Sequence, residues 1–144
     1  MPTALITGGT RGLGRALVDH LTGQGWTVVF DARRTADVHA TVATLQDGRP
    51  GTAIGVPGDV SDAAHRNDLL ESIGDRELDL LVNNAGSLGP TPLPRMIDLD
   101  VDDFVDLLTA NTIAPIALFG AVHERLQRVR GAVINVSSDA AVEP

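Results

Sequence analysis

Residues 7–14, near the amino terminus, combine glycine, threonine and arginine in a pattern suited to binding an anion. A short apolar run precedes the segment and apolar residues at helical spacing follow it, which predicts a turn between a buried strand and a helix. Free backbone N–H groups and the positive end of the helix dipole meet at such a turn. Glycine there tolerates unusual backbone angles and lets a phosphate approach without a Cβ in the way. The segment consists of Thr7, Gly8, Gly9, Thr10, Arg11, Gly12, Leu13 and Gly14.

The glycines follow the spacing T-G-x-x-x-G-x-G. This spacing differs from the G-x-G-x-x-G dinucleotide fingerprint, and it lacks the Gly-Lys-Ser/Thr end of a P-loop. A glycine-rich turn without any ligand is the alternative interpretation, because a motif match alone is only a hypothesis. Evidence for a nucleotide at this turn therefore has to come from the side chains that follow the other strands.

Short apolar runs predict five strands that alternate with helical segments. This order indicates an α/β fold with a doubly wound parallel sheet of the Rossmann type, in which ligands bind beyond the carboxyl ends of the strands. We expect residues 1–144 to form one domain that is incomplete after the fifth strand. The strands are predicted at residues 4–6, 26–30, 52–56, 78–82 and 131–136, and the helices at about residues 13–23, 37–45, 62–73 and 101–129.

The second predicted strand ends in Asp31, Ala32, Arg33 and Arg34. In a βαβ nucleotide fold this strand end faces the adenine ribose, where an acidic residue accepts from the 2′-hydroxyl and an arginine suits a 2′-phosphate. The two signals compete here, since Asp31 is a candidate acid and Arg33 and Arg34 are candidate clamps. Solvated surface arginines are the plainer interpretation of the pair.

The fourth predicted strand ends in the tetrad Asn83-Asn84-Ala85-Gly86. Two amides at a strand end can bond to neighbouring strands and fix the loop, while Ala85 and Gly86 leave room for a flat ring or a ribose. An Asx-type turn explains one asparagine and the glycine, but not the whole tetrad. With the glycine turn, this tetrad makes the chain resemble the short-chain dehydrogenase/reductase family.

The resemblance implies an oxidoreductase that moves a hydride between C4 of a nicotinamide and a carbonyl or alcohol substrate. By register after the Val28-Val29 pair, the chain is similar to the NADP-preferring members, with Ala32 where NAD users place the acid. We expect NADP, with NAD possible. Asp59 and Val60 resemble the adenine-contacting pair, although an aspartate after a strand often only caps a helix. The implied cofactor residues are Thr7, Gly8, Thr10, Arg11, Gly12, Leu13, Gly14, Arg33, Asp59, Val60, Asn84, Ala85 and Gly86.

Asn111 lies in the middle of the longest predicted helix, where the family places a catalytic asparagine. Pro115 has no N–H, so it cannot bond to the carbonyl of Asn111, and we expect a kink and a free carbonyl that could hold a water of a proton relay. The alternative is that Pro115 only bends the helix and Asn111 faces solvent. The resemblance also implies that Ser138, after the fifth strand, is the serine that orients the substrate oxygen.

Family members place a Tyr-x-x-x-Lys helix about a dozen residues after that serine, with the tyrosine as general acid/base. The chain contains no tyrosine and no lysine, and it stops at Pro144. We expect Val133, Ile134 and Val136 on the fifth strand to lie on an exposed edge, which either a partner chain or the rest of a longer protein would cover. The four histidines are expected on helices, solvated and away from the cleft: His20, His39, His65 and His123.

Composition excludes several classes of partner. The 11 basic and 19 acidic residues give a net charge of −8, which has the wrong sign for nucleic acid. There is no cysteine, so no disulfide or thiolate metal site is expected, and we expect no metal at all. No uninterrupted apolar stretch is long enough to span a bilayer and the start does not resemble a signal peptide, so we expect a cytoplasmic protein.

Three interpretations remain open from the sequence. The chain is the amino-terminal part of an NADP-dependent oxidoreductase, or a nucleotide-binding module without turnover, or a structural subunit that pairs with a complete homologue. The glycine turn, Arg11 and Arg33 favour the first two. In each case we expect a small-molecule carbonyl or alcohol as the family's substrate and a homo-oligomer formed through the long helix, residues 101–129.

Overall fold

A computed structural model describes residues 1–46 and 48–138. Its centre is a five-stranded sheet in the order β3-β2-β1-β4-β5, and all four neighbouring pairs are parallel. The sheet confirms the predicted doubly wound α/β fold. Strands shift by up to two residues from the predicted bounds. They are β1 (Thr3–Ile6), β2 (Thr27–Ala32), β3 (Thr52–Pro57), β4 (Leu80–Asn83) and β5 (Ala132–Asn135).

Helices connect the strands, as the order of apolar segments predicted. Asp62 caps α3 by accepting from the Ala64 amide at 2.9 Å. The predicted connection between the second helix and the third strand includes Asp47, which lies outside the described residues. The helices are α1 (Gly12–Gly23), α2 (Thr35–Leu45), α3 (Ala63–Ile73), α4 (Val101–Leu108) and α5 (Ala114–Val129).

Two apolar clusters cover the two faces of the sheet. Successive strand residues point to opposite faces, so Leu5 and Val29 join one cluster while Ile6 and Phe30 join the other. The first cluster is completed by α3 and α5, and the second by α1 and α2. This three-layer packing fixes where the strand ends lie.

The strand order reverses between β1 and β4, because β2 and β3 extend the sheet on one side of β1 and β4 and β5 on the other. Such a switch point leaves a crevice outside the carboxyl ends of the two central strands. The β1–α1 turn and the segment after β4 therefore face each other. Most of the candidate residues predicted from the sequence belong to segments that border this crevice.

The predicted long helix is continuous from Val101 to Val129 but contains a π-helical segment, Thr109–Ile113, between α4 and α5. Asp100 caps its start by accepting from the Asp102 amide at 2.8 Å. At its far end, Arg128 bonds to Glu77 at 2.8 Å, and this hydrogen bond, with the negative charges of Glu77 and Glu124, raises the pKa of Arg128. The helix is thus held at both ends.

Much of this helix is exposed and apolar. Its length and composition would allow a membrane span, since an 18-residue window of the helix has a mean hydropathy of 1.6, although polar residues such as Asn111 interrupt the apolar stretch. These two properties are weak evidence, since core helices of soluble proteins share them. Here one stripe of the helix, from Ala114 to Leu126, packs against the sheet.

The fifth strand is exposed on its outer side within the described part of the chain, as expected. Val133, Ile134 and Val136 keep 37%, 47% and 41% of their surface accessible. The strand pairs only with β4 among the described residues. These apolar side chains form a surface that further protein would bury favourably.

Candidate functional site

The glycine turn between β1 and α1 is shaped by backbone angles and close contacts that only glycine allows. Gly8 and Gly12 have φ of +72° and +55°. A Cβ on Gly14 would overlap the carbonyl oxygen of Gly8, and one on Gly8 would lie 3.1 Å from the Cα of Ala85. A Cβ on Gly12, by contrast, would meet no atom within 4 Å. Gly8 and Gly14 thus pack the turn, whereas Gly12 faces open space.

The amino terminus of α1 is open toward the crevice. Arg11 is the residue before the helix, and its side chain makes no capping hydrogen bond. The first turn contains no acidic residue. Helix geometry leaves the first N–H groups without intrahelical acceptors, and the helix dipole adds positive potential there. The arrangement is suited to a phosphate group.

Asn84 and Thr7 tie the glycine turn to the end of β4. The Asn84 side-chain amide donates to the carbonyls of Thr7 and Gly8 at 2.9 and 3.1 Å. The Thr7 hydroxyl accepts from the amides of Asn84 and Ala85 at 3.0 and 2.9 Å. On the other side, Asn83 donates to Asn135 of β5 at 2.8 Å. The two asparagines thus bond to neighbouring strands, as the tetrad suggested.

A cavity of about 690 Å³ lies at the strand ends on the β1–β2–β3 side. Four predicted residues do not line it: Thr7 and Gly14 are buried behind the turn, and Gly12 and Leu13 lie exposed on the first turn of α1. Nine predicted residues line it, namely Gly8, Thr10, Arg11, Arg33, Asp59, Val60, Asn84, Ala85 and Gly86.

Two guanidinium groups at this cavity remain available for a ligand. Within the described residues, the side chains of Arg11 and Arg33 form no hydrogen bond or ion pair, whereas Arg34 lies 3.6 Å from the carboxylate of Asp37. Arg11 and Arg33 come from different loops and border the same space. Bidentate, permanently charged groups of this kind suit a phosphate monoester.

Asp59 and Val60 lie at the end of β3. The Asp59 carboxylate accepts from the Ser61 amide at 2.9 Å, in an Asx turn, and its side chain is exposed at the cavity. Val60 is buried and belongs to a core cluster while it also borders the cavity. Asp62 is the residue that caps α3, so Asp59 is not the helix cap.

A second cavity, of about 940 Å³, lies on the β4–β5 side and shares Asn84 to Ser87 with the first. The structure brings Asn111 and Ser138 together at this cavity. Its wall also includes apolar side chains, among them Ile116, Phe119 and Val133. Polar groups beside an apolar wall are typical of a site for a small organic molecule.

Asn111 faces this cavity and not bulk solvent alone. Its side chain pairs with the Ser87 backbone, accepting from the amide at 2.9 Å and donating to the carbonyl at 2.8 Å. It lies in the π-helical segment, where the Ala114 amide bonds to the carbonyl of Thr109, five residues earlier. Pro115 supplies no N–H to the Asn111 carbonyl, and the predicted irregularity takes the form of this π turn.

Asp31 and His65 depart from what the sequence suggested. Asp31 is buried, and its carboxylate already accepts from the Gly8 amide at 2.7 Å and lies 3.1 Å from His65 Nε2. It is therefore not an open acceptor for a ribose hydroxyl. His65 is also buried, so the expectation that all four histidines are solvated was wrong for this one. The sequence did hold a signal, since His65 shares its helical face with Leu69 and Ile73.

The sequence also missed a contribution from the long helix. Asp103, Asp106, Leu107 and Ala110 line the first cavity from α4 and the start of the π segment. Their spacing of three and four residues places them on one helical face. That face was not assigned from the sequence, because acidic residues near a helix start are also expected there as favourable partners of the helix dipole.

The model of the short chain dehydrogenase family matches residues 2–144. The chain belongs to this family. The glycine turn, the asparagine tetrad and the two cavities are therefore features of a chain that has the sequence pattern of this family. The serine 3-dehydrogenase of Agrobacterium fabrum is 33% identical over 99% of this chain and 55% of its own length. The short chain dehydrogenase penD of Penicillium thymicola is 32% identical over 99% of this chain and 53% of its own.

Two solved structures have the same fold. The L-sorbose reductase of Gluconobacter frateurii, in complex with NADPH and L-sorbose, superposes with a TM-score of 0.88 at 25% identity, over 99% of this chain and 54% of its own. A short-chain dehydrogenase of Sphingobium yanoikuyae with NADPH gives 0.87 at 26% identity, over 100% of this chain and 56% of its own. The chain therefore spans about half the length of the relatives it matches.

Proposed function

We propose that the whole protein is an NADP(H)-dependent oxidoreductase that interconverts a small carbonyl compound and the corresponding alcohol. The observation that carries this proposal is the first cavity, which lies beside the β1–β4 switch point and is bordered by the glycine turn, the open α1 terminus and the side chains of Arg11 and Arg33. Dinucleotides bind at such a point in doubly wound sheets. When bound, the nicotinamide cofactor would supply or accept the hydride.

The glycine turn would hold the pyrophosphate. The first N–H groups of α1 would donate to it, and Gly12 would let it approach because no atom lies within 4 Å of the position of a Cβ there. Asp59 would accept from the adenine amino group, with Val60 as an apolar wall. Ala85 and Gly86 would leave room for the nicotinamide ribose beside the first cavity.

NADP is favoured over NAD by the charges at the end of β2. Arg33 and Arg11 are exposed and would clamp a 2′-phosphate from two sides. Asp31 offers no comparable acceptor for a 2′-hydroxyl, because its two carboxylate oxygens are engaged by Gly8 and His65. Ala32, at the position where NAD-using members carry the acid, offers none either.

Asn111 and Ser138 would act on the substrate side, in the second cavity. Ser138 would orient the substrate oxygen. The Asn111 side chain holds the Ser87 backbone, while its own carbonyl would position a water for proton transfer, since Pro115 supplies no N–H to it. The family's general acid/base is the tyrosine of a Tyr-x-x-x-Lys motif, and these 144 residues contain neither tyrosine nor lysine.

That composition favours a second candidate for these 144 residues by themselves, a dinucleotide-binding module without turnover. The two candidates share the cofactor site and differ in catalysis. We place the protein in the cytoplasm, in a homo-oligomer formed through the apolar face of the long helix. The exposed side chains of Val105 and Leu108, which line neither cavity, support such a pairing.

The test is a fluorescence titration of the intact gene product and of this 144-residue chain with NADPH, with Gly14→Val as the control. Gly14→Val should abolish binding because the new side chain would overlap the Gly8 carbonyl. NADPH oxidation with a panel of ketones and aldehydes then separates the two candidates. Binding with turnover by the intact product supports the enzyme, binding without turnover supports the module, and no binding overturns both.

A further inference from the structure

A buried chain of hydrogen bonds runs from α3 through β2 to the glycine turn. His65 Nε2 lies 3.1 Å from Oδ2 of Asp31, and Oδ1 of Asp31 accepts from the Gly8 amide at 2.7 Å. The two side chains are only 5% and 3% exposed. Residue 31 also fixes the next peptide, because its backbone carbonyl accepts from the Gly9 amide at 2.8 Å. One residue of β2 therefore holds two consecutive peptide groups of the turn.

The hydrogen on the imidazole can be assigned from its partner. A carboxylate oxygen accepts, so a hydrogen bond between the two side chains requires the proton on Nε2 of His65. Nδ1 is buried and has no hydrogen-bond partner among the described residues. The proton at Nε2 is thus the one through which His65 acts, and its acceptor is the carboxylate that holds Gly8.

The fold provides a specific space for this ring. A Cβ on Gly58 would overlap the imidazole of His65, and Gly58 itself is held at the end of β3 by its amide, which donates to the Ala32 carbonyl at 3.0 Å. Burying a carboxylate is costly unless hydrogen bonds satisfy it. Both oxygens of Asp31 are satisfied here by groups of the protein, one from the turn and one from α3.

We propose that His65 and Asp31 are positioning residues that hold the glycine turn in the conformation that receives the dinucleotide phosphates. The inference rests on the proposed function, since it concerns the same cofactor site. Gly8 has φ of +72°, and the direction of its peptide groups sets where the following N–H groups of the turn point. The two residues therefore affect the binding of the pyrophosphate, which NADPH and NADH share. They do not discriminate between a 2′-phosphate and a 2′-hydroxyl on the adenine ribose.

The experiment compares two polar replacements of His65 in the intact protein, with NADPH and NADH titrated separately. The amide of Gln extends to the position of imidazole Nε2 and can donate to Asp31, whereas the amide of Asn is too short. His65→Asn should weaken the binding of both dinucleotides about tenfold, and His65→Gln should restore most of the affinity. The ratio of the two dissociation constants should stay as in the wild type.

Asp31→Ala tests the same chain of hydrogen bonds at Asp31. It provides an independent test if the His65 variants do not fold. It removes the acceptor of the Gly8 amide, so it should also weaken both dinucleotides by about tenfold. A loss confined to NADH would instead identify Asp31 as a ribose acceptor and overturn the inference. Equal binding by folded His65→Gln and His65→Asn would overturn it as well.

These outcomes are distinct from a failure of the proposed function. Wild-type protein that binds neither dinucleotide would overturn the proposed function, and the inference with it. Wild-type binding with unchanged affinity in folded His65→Asn and Asp31→Ala would overturn the inference alone. Circular dichroism and thermal unfolding of each variant establish which proteins are folded before the titrations are compared.

Discussion

The side chain of Asn111 and the backbone of Ser87 form a reciprocal pair of hydrogen bonds, at 2.9 and 2.8 Å. One amide side chain thereby satisfies both the donor and the acceptor of a residue in the loop after β4. Residues of this loop, from Asn84 to Ser87, line both cavities. A substitution at Asn111 therefore affects the loop as well as any substrate in the second cavity.

Replacing Asn111 with leucine should lower the stability of the fold by about 1 kcal/mol, because two hydrogen bonds are lost at an exposed position. In the intact protein we expect a much larger loss in turnover than in NADPH affinity. Urea unfolding and steady-state kinetics measure the two effects. Asn67→Leu, on the exposed face of α3, is the matched control. Unchanged turnover in Asn111→Leu would contradict the proposed role.

Gly12→Ala should abolish NADPH binding without disturbing the protein core. No atom lies within 4 Å of the new Cβ, so the only conformational cost is the positive φ of +55°, worth about 1–2 kcal/mol. Gly25→Ala is a matched control, since Gly25 has φ of +86°, has equal space and lies at the opposite end of α1. Both variants should lose similar thermal stability. Equal NADPH affinity in the two would exclude a phosphate at Gly12.

Arg33→Ala should weaken NADPH binding by roughly 10- to 100-fold and leave NADH binding nearly unchanged, because it removes a charged hydrogen-bond donor to the 2′-phosphate. Arg34→Ala removes a neighbouring guanidinium that already lies 3.6 Å from Asp37, and it should have a smaller effect. Parallel fluorescence titrations with both dinucleotides measure the ratio. A larger effect of Arg34→Ala would transfer the clamp to that residue.

Val105→Glu should reduce the oligomeric mass of the intact protein in light scattering. The side chain is 51% exposed on the apolar helix and lines neither cavity, so a carboxylate there would be buried unpaired in a helix-to-helix interface. Leu93→Glu, on an exposed loop, is the control and should leave the mass unchanged. An unaltered mass in Val105→Glu would remove this part of the helix from the interface.

Much of the fold could be predicted because it depends on local patterns. The five strands are short apolar runs bounded by glycine and polar residues, and their order with the helices leaves few topologies. Strand ends were less predictable, since β4 begins only at Leu80. The preceding Asp79 uses its side chain to bind the amide of Thr3 at 2.7 Å, a contact between residues 76 positions apart.

The site was predictable where one short segment carries the chemistry, as in the glycine turn. It was not predictable where distant side chains combine. The link between His65 and Asp31 spans 34 residues, and each residue alone suggested something else, a solvated histidine and a ribose acceptor. The contribution of α4 to the first cavity also depends on the position of the long helix relative to the sheet. That position cannot be predicted from a local sequence pattern.

The π segment Thr109–Ile113 makes chain length, and not only side-chain type, a determinant of the site. A π turn accommodates one residue more than an α turn, and each residue of a helix rotates by about 100°. If the same residues took regular α form, all of α4 would turn by that angle relative to α5. Asp103 and Asp106 would then leave the cavity wall while the core stripe of α5 stayed in place. The π turn is therefore what allows α4 to present these two carboxylates to the cavity while α5 packs on the sheet.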